Sequence, residues 1–143
     1  MKRPLVEKPT LLIDPNRVKA NIRRMAEKAL RQKVRFRPHF KTHQSAQIGD
    51  WFGEQGVSAI TVSSVDMAMY FASFGWQDIT IAFPVNWRQI DKLRSLAQTI
   101  HLGVLVEWVD SMHWVEQNLD APVNIWIEID EGSQRSGVPW NEP

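Results

Sequence analysis

Three side chains in this sequence carry functional groups suited to covalent or anion chemistry at positions a folded chain can present. His39 and Lys41 lie in "RFRPHFKTHQ", residues 35–44, and Arg135 lies in "EIDEGSQRSGVP", residues 128–139. In the first stretch Arg35, Arg37, His39 and Lys41 alternate with Phe36, Pro38 and Phe40. A period of two is the mark of a strand with two unlike faces. Lys41 then ends that strand beside His39. Low-dielectric walls and a neighbouring Arg37 would both favour the neutral amine, the nucleophile of imine chemistry. A surface lysine after a half-exposed strand fits the same pattern. In the second stretch a strand closes on acids, and a glycine-containing loop then carries Arg135. The planar fork of an arginine suits an anionic oxygen. A surface turn with a solvated arginine fits these residues as well.

Composition removes several other chemistries. The chain has 143 residues and no cysteine, so disulfides, thiolate metal sites and cysteine nucleophiles are excluded. With 17 basic and 16 acidic residues the formal charge is +1, which points to neither a nucleic-acid nor a membrane partner. The start, "MKRPLVEKPTLLID", has no apolar core of a secretory signal, and no apolar run is long enough to span a bilayer. Cytoplasm is the default expectation. His39 and His43 are four apart on a strand end and loop, so they do not share a face as helical metal-binding histidines do, and no metal site is expected in this chain. GxGxxG, GxxxxGK[ST] and GxSxG are all missing from the sequence. The seven tryptophans are scattered and read first as packing.

The elements that must position these residues alternate. "TLLID" is a short extended run. A helix follows over "DPNRVKANIRRMAEKALRQK", with Asp14 as cap, Pro15 in its first turn, and Val18, Ile22, Met25 and Leu30 as its apolar stripe. Strands are expected at "VRFRPHF", "VSAITV", "DITIAFP", "HLGVLV" and "VNIWIEID". Helices are expected between them at "SAQIGDWFGEQG", "SVDMAMYFASFG", "NWRQIDKLRSLAQ" and "DSMHWVEQNL". A repeat of roughly 20 to 25 residues is the pattern of parallel βα units. Five such units suit an open doubly wound sheet, or the first part of an eight-stranded barrel, which needs about 250 residues. The barrel reading makes a definite assignment of faces. Val34, Phe36 and Phe40, with Ile125, Ile127 and Ile129, face helices. Arg37, His39 and Lys41, with Trp126, Glu128 and Asp130, face the interior. Both polar sets fall at C-terminal strand ends, where active sites sit in this architecture.

Taken together, these stretches resemble a known family. "RPHFKTHQ" is similar to the RPHxKTHK motif of the D-threonine aldolase and D-serine dehydratase group, fold-type III pyridoxal-phosphate enzymes with an alanine-racemase-like N-terminal barrel. "PTLLIDPNRVKANIRRMA" resembles their opening strand and helix. "AITVSSVDMAMYFASFGWQDITIAFPV" resembles their second and third βα units, and "IEIDEGSQRSGVP" their D-x-G-x-x-R-x-G-V loop. The resemblance implies a partial (β/α)8 barrel over residues 1–143. It implies that Lys41 holds pyridoxal 5'-phosphate as a Schiff base, that Arg135 hydrogen-bonds the cofactor's phenolic oxygen, and that His39 lies beside the imine. It implies a D-amino acid substrate, β-hydroxylated, and a homodimer for the full-length parent. Aldol cleavage to glycine and an aldehyde is the first expectation. A D-serine-dehydratase-like reaction is the alternative, and a non-catalytic carrier or remnant a third. The motif's second lysine is Gln44 here. The family's chain continues through further barrel strands, a mainly β domain and any ligands for Mn²⁺ or Zn²⁺, so this chain is expected to be an N-terminal piece.

Overall fold

The computed structural model describes residues 5–141; residues 1–4 and 142–143 of the expected 1–143 domain lie outside the described residues. Its elements in chain order are α1 (Pro15–Arg31), α2 (Ala46–Gly53), β1 (Ile60–Val62), α3 (Val65–Ser73), β2 (Asp78–Pro84), α4 (Ile90–Thr99), β3 (His101–Val106), α5 (Val109–Asn118), β4 (Asn124–Ile127), β5 (Ile129–Asp130) and β6 (Val138–Pro139). Short 3₁₀ turns stand at Phe40–Thr42 and Trp87–Gln89.

Strands β1 to β4 form one parallel sheet in the order β1-β2-β3-β4. Sequential neighbours joined by helices are what βα units give, because a parallel crossover needs a dozen or more residues. Helices α1, α2 and α3 start where small polar side chains cap them. Asp14 accepts the N–H groups of Asn16 and Arg17 at 3.0 and 3.2 Å. Ser45 accepts from Ile48 at 3.4 Å, and Ser64 from Met67 at 3.2 Å. Each bond satisfies a donor that the first turn leaves free.

The two faces of the sheet differ as a barrel requires. Ile60, Val62, Ile79, Ile81, Leu102, Val104 and Val106 are buried against Phe71 of α3, Leu93 and Leu96 of α4, and Val115 of α5. The opposite parity carries Thr61, Thr80, Gly103 and Trp126, which are small, polar or partly exposed. Here the strands pack closely. A Cβ on Gly103 would lie 2.6 Å from the Thr80 Oγ1 and 3.1 Å from the Trp126 Nε1.

Several expectations are corrected. "VRFRPHF" does not form a ladder strand. It runs beside β1 with a single parallel bridge, His39 to Thr61, in which the Thr61 N–H reaches the Pro38 carbonyl at 2.9 Å. Pro38 has no N–H to donate, and the Arg37 guanidinium takes the Ile60 carbonyl at 3.0 Å, so the ladder stops there. The ordered sheet therefore has four strands where five were counted. Val34 is 60% exposed instead of facing a helix. "VNIWIEID" divides at Glu128 into β4 and β5, and β5 pairs in parallel with β6. Ile125, Ile127 and Ile129 keep the expected parity but are exposed. "TLLID" pairs with no strand among the described residues, and Leu11 and Leu12 are exposed. In α1 only Ile22 of the apolar stripe is buried, while Met25 and Leu30 are exposed.

Candidate active site

All four strands run the same way, so their C-terminal ends meet at one rim. His39 opens it. Its bridge to Thr61 continues in register through Thr80 to Gly103 and Asn124, so these five residues form one row across the sheet. Register partners point to the same side, which puts His39 on the polar face, as the alternation implied. The chain then tightens into the 3₁₀ turn, and the His39 Nδ1 accepts the Lys41 N–H at 3.2 Å. Lys41 thus stands in a turn above the row, and strand alternation does not apply to it.

Phe40 fixes the turn from below. It is fully buried, with ring centroids 5.1 Å from Phe52, 4.9 Å from Phe71 and 5.2 Å from Trp76. Gly49 of α2 makes room for it, since a Cβ there would lie 3.1 Å from the Phe40 ring. His43 closes the cluster, edge-on to Phe40 at 4.5 Å and stacked on Phe52 at 5.8 Å.

The electrostatics follow from these positions. Burial, and then the charge of Lys41, hold the His39 imidazole below its ordinary 6.5. The ring is therefore neutral at neutral pH. With Nδ1 as acceptor, its proton is on Nε2, an assignment made from the hydrogen bond. Lys41 is exposed and its amine has no ion-pair partner among the described residues. The expected neighbour Arg37 points elsewhere. Its guanidinium bonds Asp78 at 2.7 Å, together with Arg35 at 2.6 Å, at the start of β2. The walls and the like charge invoked for Lys41 are thus both replaced by an open position. For Asp78, burial raises the carboxyl, but hydrogen bonds and charge from Arg37 and Arg35 outweigh it and hold the group below the usual range.

Arg135 occupies the far side of the rim, in an exposed loop after β5. It makes no hydrogen bond to Lys41 or His39 among the described residues. The Asp130 carboxylate organises the loop by accepting from Gln134 at 3.0 Å and Gly132 at 2.9 Å, which holds its pKa below the ordinary range. So the structure brings His39 and Lys41 together and leaves Arg135 across the mouth from them. No three of His, Asp and Glu converge to hold a metal among the described residues.

Sequence reasoning did not single out Thr61, Thr80 and Gly103, although the alternation in "ITV" and "DITIA" carries the signal. Nor did it find Glu107, which accepts the Gly137 N–H from 30 residues away, or Ser136, whose hydroxyl donates to Glu128 eight residues before it.

A family model described as alanine racemase, N-terminal domain, matches residues 13–143. The chain belongs to that family. The D-threo-3-hydroxyaspartate dehydratase of Delftia sp. (strain HT23) is 31% identical over 137 residues, which cover 93% of this chain and 36% of that protein. The D-threonine aldolase of Arthrobacter sp. is also 31% identical, with the same coverage. The crystal structure of D-threonine aldolase from Filomicrobium marinum superposes with a TM-score of 0.80 at 27% identity, covering 93% of this chain and 37% of that one. The chain spans about a third of the length of the curated relatives it matches. Its parallel α/β architecture is the alanine racemase N-terminal fold, consistent with part of a (β/α)8 barrel. No helix among the described residues is long and apolar enough to cross a membrane.

The residues present fit pyridoxal phosphate, the cofactor this fold family implies. The Lys41 amine is exposed and unpaired among the described residues, and it stands at the strand-end rim. The Glu128 Oε2, at the same end, is a buried acceptor with no partner among the described residues.

Proposed function

We propose that residues 1–143 are the cofactor-holding part of a barrel domain in a pyridoxal-phosphate-dependent lyase for D-3-hydroxy amino acids. Cleavage to glycine and an aldehyde is the favoured reaction. The observation that carries this reading is the Lys41 amine, unpaired among the described residues at the C-terminal rim, in a turn held by His39 and Phe40. Relatives named as a D-threonine aldolase and D-3-hydroxyaspartate aldolases support the reaction class.

Lys41 would hold the group through its Nζ, and the Arg135 guanidinium supplies a cation for an anionic oxygen on it. Bound there, pyridoxal phosphate supplies a ring that takes up the electrons released when a bond at the substrate's α-carbon breaks. His39 orients the Lys41 backbone through Nδ1, and its Nε2 carries a proton it can donate at the mouth. The Lys41 Nζ can hold or release a proton at the mouth. Thr61 and Thr80 line the row beneath with hydroxyls.

Dehydration is the second reading, and the Delftia relative named as a dehydratase favours it. Product analysis separates the two: glycine and an aldehyde from one, a keto acid and ammonia from the other. The cofactor assignment itself is tested by adding pyridoxal phosphate to the full chain, reducing with borohydride and locating the label by peptide mass. Label on Lys41, lost in Lys41→Ala, is the expected result. Label spread over other lysines, or unchanged in Lys41→Ala, would overturn the assignment. Labelling without product from D-threonine or D-3-hydroxyaspartate, with or without Mn²⁺, would leave a carrier as the better description.

A further inference from the structure

The loop bearing Arg135 is fastened by carboxylates from two neighbouring strands. Glu107 follows β3 directly, and its Oε2 accepts the Gly137 N–H at 2.8 Å. Glu128 stands between β4 and β5, and its Oε1 accepts the Ser136 hydroxyl at 2.9 Å. The main chain reinforces both. The Glu128 N–H reaches the Val106 carbonyl at 3.0 Å, and the Val138 N–H reaches the Glu128 carbonyl at 2.8 Å. Ser136 and Gly137, the two residues after Arg135, are therefore docked side by side on the strand ends.

Gly137 makes this approach possible. Its φ is 100°, and a Cβ there would lie 2.8 Å from the Asp130 nitrogen and 2.9 Å from the Ile129 carbonyl carbon. On the other side of Arg135, Asp130 has already tied down Gly132 and Gln134. Arg135 is the single residue between two fastened turns. Hydrogen bonds to a carboxylate are roughly twice as strong as neutral ones, so Glu107 in particular gives the loop a fixed seat.

We propose that Glu107 and Glu128 are positioning residues, which hold the Arg135 guanidinium at the rim by seating Gly137 and Ser136. The functional consequence rests on reading Arg135 as a cofactor contact; the seating itself does not.

The test is limited trypsin digestion of the full chain without added pyridoxal phosphate, following cleavage between Arg135 and Ser136 by mass. Cleavage after Arg17, Arg23 and Arg24 in α1 is the internal control for general loosening. Glu107→Ala is expected to raise cleavage at Arg135 about fivefold or more while the α1 sites keep their rate, since one charge-assisted bond is lost. Glu107→Gln retains an acceptor oxygen and is expected to stay within about twofold of the parent chain. Equal rates at Arg135 in the parent and Glu107→Ala would overturn the proposal. So would equal acceleration at every site, which means general destabilisation. A second readout is the visible absorbance band on titration with pyridoxal phosphate. Half-saturation is expected to need several-fold more ligand in Glu107→Ala and to recover in Glu107→Gln; an unchanged titration in Glu107→Ala would overturn the link to Arg135. A parent chain that shows no band at all overturns the cofactor reading, and the digestion then decides the seating alone.

Discussion

The His39 Nδ1 accepts the backbone N–H of Lys41 at 3.2 Å, so one imidazole both caps the turn and sets the direction in which the lysine leaves it. His39→Ala removes the cap and the ring beside the amine. Losing such a cap costs about 1 kcal/mol, so the variant should remain folded with a slightly lower melting temperature. Borohydride labelling at Lys41 should fall without vanishing. His39→Asn, which keeps a capping oxygen, should recover the stability. A His39→Ala variant that labels as fully as the parent would show that the cap does not guide Lys41.

Two histidines give the fold a defined acid response. His39, through burial and the Lys41 charge, and His43, through burial among aromatic rings, are both held below 6.5. As pH falls below about 6.5 the unfolded chain takes up these protons while the folded chain resists, so stability declines. The decline levels off once each folded imidazole is protonated. Asp78 acts in a lower window. Its carboxyl lies below 3.8, so its contribution is present above that value and is lost as pH falls through the depressed one. Stability against urea, measured across pH, should show two separate steps. His43→Phe should shrink the upper one. An upper step of unchanged size in that variant would remove His43 from the account.

Arg37 and Asp78 join the segment before Lys41 to the start of β2. Their side chains are only 20% and 17% exposed, and the bond is 2.7 Å. Asp78→Ala leaves two guanidinium groups without their acceptor, one of them largely buried. The cost should be about 2 kcal/mol, from hydrogen bonds to a charged group. Denaturant unfolding checks it. A change below a few tenths of a kcal/mol would mean that water replaces the carboxylate at no cost.

Much of this arrangement is legible in the sequence where the pattern is local. The parity of Ile79 and Ile81, and of Leu102, Val104 and Val106, follows from strands covered by helices on one side. Phe40 and His39 fall on opposite sides of their segment, as alternation requires. The resemblance of "RPHFKTHQ" and "IEIDEGSQRSGVP" to one family agrees with the match over residues 13–143. What stayed hidden depends on distant partners. Arg37 turns to Asp78 and to the Ile60 carbonyl, and the second of these bonds helps to end the strand early. Gly137 is seated by Glu107 from the preceding βα unit. Lys41 enters a 3₁₀ turn because the side chain of its own neighbour caps it, which alternation cannot anticipate.

The last prediction concerns the edge at β4. "NIWI" has no lysine, proline or bulge to protect it, and its outer side is unpaired among the described residues. Trp126 and Ile127 are 51% and 66% exposed, one on each face. Sheet edges of this kind pair with other chains unless charge or shape prevents it. The 143-residue chain should therefore associate as its concentration rises, visible in sedimentation velocity as a growing fast component. Ile127→Lys places a charge on the exposed edge, beside its register partner Val106 of β3. It should raise the concentration needed for association about tenfold, which corresponds to about 1.4 kcal/mol. The rim and its Lys41 label should be unaffected, since β4 lies at the opposite side of the sheet from His39. A parent chain that stays monomeric over its whole soluble range would show that this edge does not pair with a second copy.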